Sequence, residues 1–301
     1  KNIGNRMHAG WLEQWVKKPE DHCPSVAPDE ADDIAAYLAT LKSRELKSQK
    51  GDVAAGKILA EELHLQPWIE KLIKSSKYTS GGLQRHLLNP AGHAKHTIFP
   101  HLRLNEDEAA NLGSWIEARS PKTLAASGGD TARGKKLVTQ RCAVCHEPGK
   151  GVTYEFEAVG LKEMWNAEWM EKGCLSEEEG NAPELGFGIE DKQALLAFKN
   201  IDGNKNFTAL RRFIPHEYAN RTLERLQCHS CHSGKNKLPD ISLAGEKLHG
   251  DWLQSLFKGE NQKVRPWMGA KMPSFHSRSG HLAMGLAYRA GMDFGKSEFK
   301  V

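Results

Sequence analysis

Apolar positions along this chain recur with a helical period rather than a strand period. From Asp29 to Leu41, Ile34, Tyr37, Leu38 and Leu41 fall three or four residues apart, behind acidic residues that favour a helix start. Glu106 to Ala118 repeats the form with Ala109, Leu112, Trp115 and Ile116. Asp191 to Asn200 repeats it with Leu195, Leu196 and Phe198. Alternating runs of aromatic and β-branched residues are scarce. The pattern predicts an all-α fold.

These three helices read as copies of one part, each behind a Pro-containing turn. Two further elements recur. Gly10-Trp11-Leu12-Glu13-Gln14-Trp15 resembles Gly250-Asp251-Trp252-Leu253-Gln254-Ser255. Gly51-Asp52-Val53-Ala54-Ala55-Gly56-Lys57 resembles Gly129-Asp130-Thr131-Ala132-Arg133-Gly134-Lys135. Internal repetition is settled before a fold is assigned. Here it divides the chain into about 1–45, 46–122, 123–204 and 205–301. The first stretch carries only the back half of a unit, so its front half, with or without a cofactor of its own, is expected before Lys1. The second carries an opening and a closing helix but no cysteine.

Composition narrows the function classes. The 301 residues are 39% hydrophobic and 27% charged, lean in apolar side chains for this length, so a non-protein group is expected to fill part of the core. Lys plus Arg is 42 and Asp plus Glu is 38, a formal charge of +4 that gives no reason to expect nucleic-acid binding. No apolar run approaches the ~18 residues of a membrane span. A start at Lys1 with no signal peptide reads as a removed leader or a trimmed chain.

The six cysteines are the most informative residues. Four stand in two strings, Cys142-Ala143-Val144-Cys145-His146 and Cys228-His229-Ser230-Cys231-His232. Cys-x-x-Cys-His is the c-type haem attachment pattern. Two thiols three apart on a helical turn each form a thioether to one porphyrin, and the adjacent imidazole, His146 or His232, reaches the iron. The expected complement is two covalently bound haem c groups. A thioredoxin-like redox pair needs a βαβ setting that is absent. One string cannot comfortably supply a tetrahedral zinc site, although a site or disulfides joining the two strings stay arithmetically open. Covalent haem attachment takes place outside the cytoplasm, so a periplasmic or other extracytoplasmic location is expected.

The sixth iron ligand differs between units. In the last it falls to Met272, in the stiff loop ending Lys271-Met272-Pro273, with Met268 as competitor. Thioether ligation raises the reduction potential relative to a second imidazole. In the third unit Ala182 stands where that Met would be. Met164, Met170, a histidine such as His216, or an open position remain. Cys23-Pro24 and Phe99-Pro100 hold the matching places in the first two stretches. Cys23 is read as a ligand, a partner of Cys174, or a free thiol.

The two attachment strings, Lys-Met-Pro and the closing amphipathic helices together resemble tandem class I cytochrome c domains. The resemblance covers 123–301 well and 1–122 only through partial helices, so 46–122 is expected to be a degenerate, haem-free unit. It implies an opening helix crossing a closing helix. Gly134 and Leu137 would then answer to Leu195 and Phe198 in the third unit, and Leu223 and Leu226 to Leu286 and Tyr288 in the fourth.

The expected function is electron transfer between a redox donor and acceptor, either alone or as a subunit of a larger respiratory or dehydrogenase complex. In the latter case 46–122 serves as a docking module through its polar segment from Ser75 to His96. The alternative is a di-haem enzyme similar to bacterial cytochrome c peroxidases, with an open iron at His146. The contrast between Met272 and Ala182 fits that alternative. The short separation of Cys142 from Cys228 fits it less well.

Overall fold

The computed structural model describes residues 2–19, 26–42, 46–93, 97–122, 125–143, 146, 175, 187–199, 212–232, 238–261, 267 and 271–295. Among them are fourteen α-helices and no β-sheet. They are α1 (Ile3–Arg6), α2 (Ala9–Lys17), α3 (Pro28–Thr40), α4 (Val53–Glu62), α5 (Gln66–Ser75), α6 (Ser80–Leu88), α7 (Pro90–His93), α8 (Glu106–Arg119) and α9 (Thr131–Leu137), followed by α10 (Ile189–Lys199), α11 (Pro215–Arg225), α12 (Ala244–Lys247), α13 (Gly250–Lys258) and α14 (Ser279–Arg289). The all-α expectation holds.

The helices start where the local chemistry satisfies their first N–H groups. Asp52 caps α4 by accepting from the Ala55 N–H at 2.7 Å. Asp130 caps α9 through the N–H groups of Ala132 and Arg133. Asn105 and Glu108 form a reciprocal capping box at the start of α8. Pro28 opens α3, with Asp29 and Glu30 in its first turn.

The chain divides into two compact units. The first contains Lys1–Leu46, Lys77–Thr79 and Lys122–Leu210; the second contains Lys47–Ser76, Ser80–Pro121 and Arg211–Val301. Compactness therefore follows different lines from sequence likeness. Stretches 1–45 and 123–204 share one unit, and 46–122 shares the other with 205–301.

In the first unit α3 packs on α1, α2 and α9. Its core is Val16, Ala31, Ile34, Tyr37, Leu137 and Val138, with Trp15, Leu38, Leu41 and Cys142 packed against it. The sequence pairs α9 with the helix at 189–199. The structure sets α9 on α3 instead. A Cβ on Gly134 would run into the Asp33 carbonyl and meet the Tyr37 Cβ at 3.0 Å. No described residue of α10 is buried, and Phe198 is exposed.

In the second unit α4 crosses α8, α11 crosses α14, and α13 packs on α14. The first crossing is as close as that of α9 on α3. A Cβ on Gly56 would strike the Asn111 backbone and lie 2.8 Å from the Trp115 Cβ. Leu223 and Leu286 are buried at the α11–α14 crossing, as expected, but Tyr288 is 49% exposed and contributes no core contact of that kind. Gly81 and Gly82 are buried in α6, which packs on α8. Much of the polar segment expected to dock a partner thus faces its own unit.

Candidate functional site

The second unit contains a cleft of about 550 Å³, open on one side. Cys228, Cys231, His232 and Met272 all line it. Four residues singled out in sequence, from two loops far apart in the chain, share one concave surface. Helix α11 delivers the first three. It stops at Leu226, and Gln227 turns the chain with φ 49° into a short 3₁₀ turn, Cys228–Ser230. The loop before α14 delivers Met272 and Pro273.

His232 is held through one ring nitrogen. Its Nδ1 lies 2.7 Å from the Pro239 carbonyl oxygen. A carbonyl can only accept, so Nδ1 carries the proton and Nε2 keeps its lone pair. A backbone or carboxylate partner on the far nitrogen is the usual setting of a metal-bound imidazole. Cys228 is buried, and burial, with Cys231 adding to it, pushes the free thiol up to about 12. Burial raises Cys231 too. At neutral pH both are therefore neutral thiols, so no reactive thiolate pair is set up here.

The opposite wall comes from the stretch without cysteines. Leu63, His64, Leu65, Trp68, Pro100 and Leu102 face the cleft alongside Leu226 and Phe275. The Cys231 Sγ lies 3.9 Å from the Leu63 carbonyl oxygen. Of these wall residues only Pro100 and Leu226 were named from the sequence, yet a signal for the others exists. Leu63 ends α4 at φ −87°, ψ 0°, and Leu226 ends α11 at φ −85°, ψ 3°. The next residues, His64 and Gln227, have φ 51° and 49°. Counting on from these matching turns, Leu65 and Trp68 occupy the places of Cys228 and Cys231. Apolar side chains thus stand at the backbone places that match those of the two cysteines.

The two proline loops also correspond. His101 and Ser274 exchange backbone hydrogen bonds, N–H to O, at 3.1 and 2.9 Å. Pro100 and Pro273, one residue earlier in each strand, both line the cleft. Phe99, in the place of Met272, turns into the core against Trp68 and His86, with ring centroids 5.8 and 4.8 Å away. Lys271, beside Met272, donates to both carboxylate oxygens of Glu108 at 2.5 and 2.8 Å. Burial opposes the charge on Glu108, but the bonds from Lys271 and from the Asn105 N–H outweigh it and hold that carboxyl below its ordinary range. The Met272 loop is therefore tied to the first turn of α8.

The first attachment string is described in part. Cys142 ends a π-helical turn, Val138–Cys142, that continues α9, and its carbonyl accepts the His146 N–H at 2.9 Å. His146 is exposed. Cys145, Met164, Met170, Ala182, Cys23, Cys174 and Met268 lie outside the described residues. His229 is exposed, and Trp252 and Trp267 are 37% and 78% exposed, so neither tryptophan fills a core.

The residues of the second unit fit a covalently bound haem. Two thiols three residues apart, an imidazole with its far nitrogen fixed, and a thioether share a largely apolar cleft. Among the described residues, no cluster of three or more His, Cys, Asp or Glu could hold a bare metal ion, and no helix is long and apolar enough to cross a membrane. No family model, no curated protein and no solved structure matches the chain.

Proposed function

We propose that this chain is an extracytoplasmic di-haem c-type cytochrome, built of tandem cytochrome c-like domains, that carries electrons between a redox donor and a redox acceptor. The observation that supports it most is the 2.7 Å contact of His232 Nδ1 with the Pro239 carbonyl, made by a histidine that lines the same cleft as Cys228, Cys231 and Met272. Cys228 and Cys231 would hold the last haem, His232 would present Nε2 to its iron, and Met272 its sulfur. Cys142, Cys145 and His146 would hold the other. Haem iron supplies the one-electron change when bound. The chain's part is to fix the imidazole, keep the thioether in place through Lys271 and Glu108, and exclude water with Leu63, Leu65 and Trp68. Water exclusion and thioether ligation both favour the reduced, less charged site. The covering of the cleft by 46–122 favours a subunit role for this stretch within its own unit, beside any docking to a larger complex.

The test is an optical spectrum of the purified protein, oxidised and reduced, with carbon monoxide added and haem quantified after alkaline pyridine treatment. Two haems, both low-spin and inert to carbon monoxide, support electron transfer. A high-spin fraction that binds carbon monoxide would move the reading to a peroxidase-like enzyme with an open iron at His146. Absence of covalent haem would overturn both.

A further inference from the structure

We propose that the cofactor attached at Cys142 is housed by the N-terminal helices α2 and α3. Helices α2, α3 and α9, with the turn that ends at Cys142, would then build one cofactor-binding unit whose back half comes first in the chain. The inference rests on the haem reading above and assigns it a site that neither the motif nor its spacing indicates.

Three sets of contacts carry it. The first joins the helix before the string to α3. The Asp130 N–H donates to Asp33 Oδ1 at 2.6 Å, and Arg141, next to Cys142, reaches Glu30 Oε2 at 2.6 Å through Nη1. Together with the Gly134 approach to Asp33 and Tyr37, these make α3 the helix that α9 crosses. The second set is apolar. The π-helical turn leads Val138 into the core of Val16, Ile34 and Tyr37, and Cys142 packs against that core with Trp15, Leu38 and Leu41. A group tethered to Cys142 lies within a side chain's reach of these residues. The partly buried members of that set, Trp15, Leu38 and Leu41, are the ones left to cover its apolar surface.

The third is a likeness between the units. Helix α2 begins after His8 at φ −69°, ψ 137°, and α13 after His249 at φ −63°, ψ 142°. Each buries the same face, Leu12 and Val16 in one, Leu253 and Phe257 in the other. Each packs on a following helix, α3 or α14, and that helix takes the opening helix of its own unit, α9 or α11. In the second unit the α13–α14 pair carries the Met272 loop between its helices. The α2–α3 pair is therefore the matching back half for His146. Helix α10, which the sequence nominates for that role, buries none of its described residues.

The test uses the full-length protein with both haems counted. Glu30→Arg, Arg141→Glu and the double exchange are compared with Leu195→Asp on α10. Midpoint potentials and the low-spin electron paramagnetic resonance signals of the two haems are read separately, the second haem serving as internal standard. Each single charge reversal is expected to shift the potential and signal of one haem only, the exchange to restore them, and Leu195→Asp to leave both haems unchanged. A shift caused by Leu195→Asp, with none from the α3 and α9 variants, would overturn the inference while leaving the haem reading intact. So would two single-variant shifts that the exchange does not repair. If the wild type holds no covalent haem, it is the haem reading that fails.

Discussion

The side chain of Asp33 holds the backbone N–H of Asp130 at 2.6 Å, across 97 residues of chain. Asn111 holds the N–H of Asp52 in the same way at 2.7 Å. Both acceptors lie on the closing helix of a crossing, and both donors cap the opening helix. The two crossings are one design used twice, once with its helices in chain order and once reversed.

Asp33 is buried, so losing it leaves the Asp130 N–H without its partner. Asp33→Ala is expected to cost about 1.5–3 kcal/mol, the range for a hydrogen bond to a charged group. The Arg133 pair adds little, because that side chain is 49% exposed. Asp33→Asn keeps an acceptor oxygen and copies Asn111, so it is expected to cost less than half as much. Urea denaturation of the two variants gives the comparison.

Gly134→Ala is expected to destabilise the first unit by about 1–3 kcal/mol, since the new methyl meets backbone rather than a yielding side chain. The gain in helix propensity, about 0.5–1 kcal/mol, is smaller than that overpacking cost. Thermal melting followed by circular dichroism measures the net effect. An unchanged or raised midpoint would mean that α9 and α3 do not meet this closely.

Met272→Ala is expected to open the sixth position of the last haem. The predicted result is a high-spin component, new carbon monoxide binding and a lower midpoint potential at that haem. Met272→His should restore the low-spin spectrum while keeping the potential low, because imidazole favours the oxidised iron more than a thioether does. Spectroelectrochemistry of both variants checks this. Wild-type behaviour in both would remove Met272 from the iron.

Acid should loosen the Met272 loop only at low pH. Glu108 is held below the ordinary carboxylate range, so its bond to Lys271 is fully formed above that range and is lost as pH falls through the depressed value. The Met–iron absorption band expected on the haem reading should thus persist on acidification through the ordinary carboxylate range and fade only below it. Glu108→Gln removes the ion pair at every pH and is expected to weaken the band already at neutrality. An optical pH titration of wild type and variant decides.

Covalent attachment predicts a thiol count. After denaturation and reduction of the protein, alkylation should label Cys23 and Cys174 and leave Cys142, Cys145, Cys228 and Cys231 unlabelled. Peptide mass mapping reads the sites directly. Labelling of all six would defeat thioether attachment.

How much was legible in advance can be judged from particular residues. The helical period of Ile34, Leu112 and their neighbours needs only local spacing, and it holds. The likeness of Gly51–Lys57 to Gly129–Lys135 is also local, and the matching caps at Asp52 and Asp130 account for it. The lining of the cleft by Cys228, Cys231, His232 and Met272 was nominated by motif. Trp68 and Leu65 were overlooked because ordinary apolar residues carry no signal until their backbone register is matched to that of the cysteines. Tyr288, placed by the resemblance, stands two residues from Leu286 and so cannot share its buried face.

Sequence by itself determined helices, the two Cys-x-x-Cys-His strings and the repeated parts, since each depends on residues within a few turns of one another. Which copy pairs with which was decided only in three dimensions. Apolar faces such as those of α3, α8 and α14 are alike in pattern, so periodicity cannot choose between them. The choice rests on close approach at Gly134 and Gly56 and on single acceptors such as Asp33 and Asn111, contacts that exist only once the chain has folded.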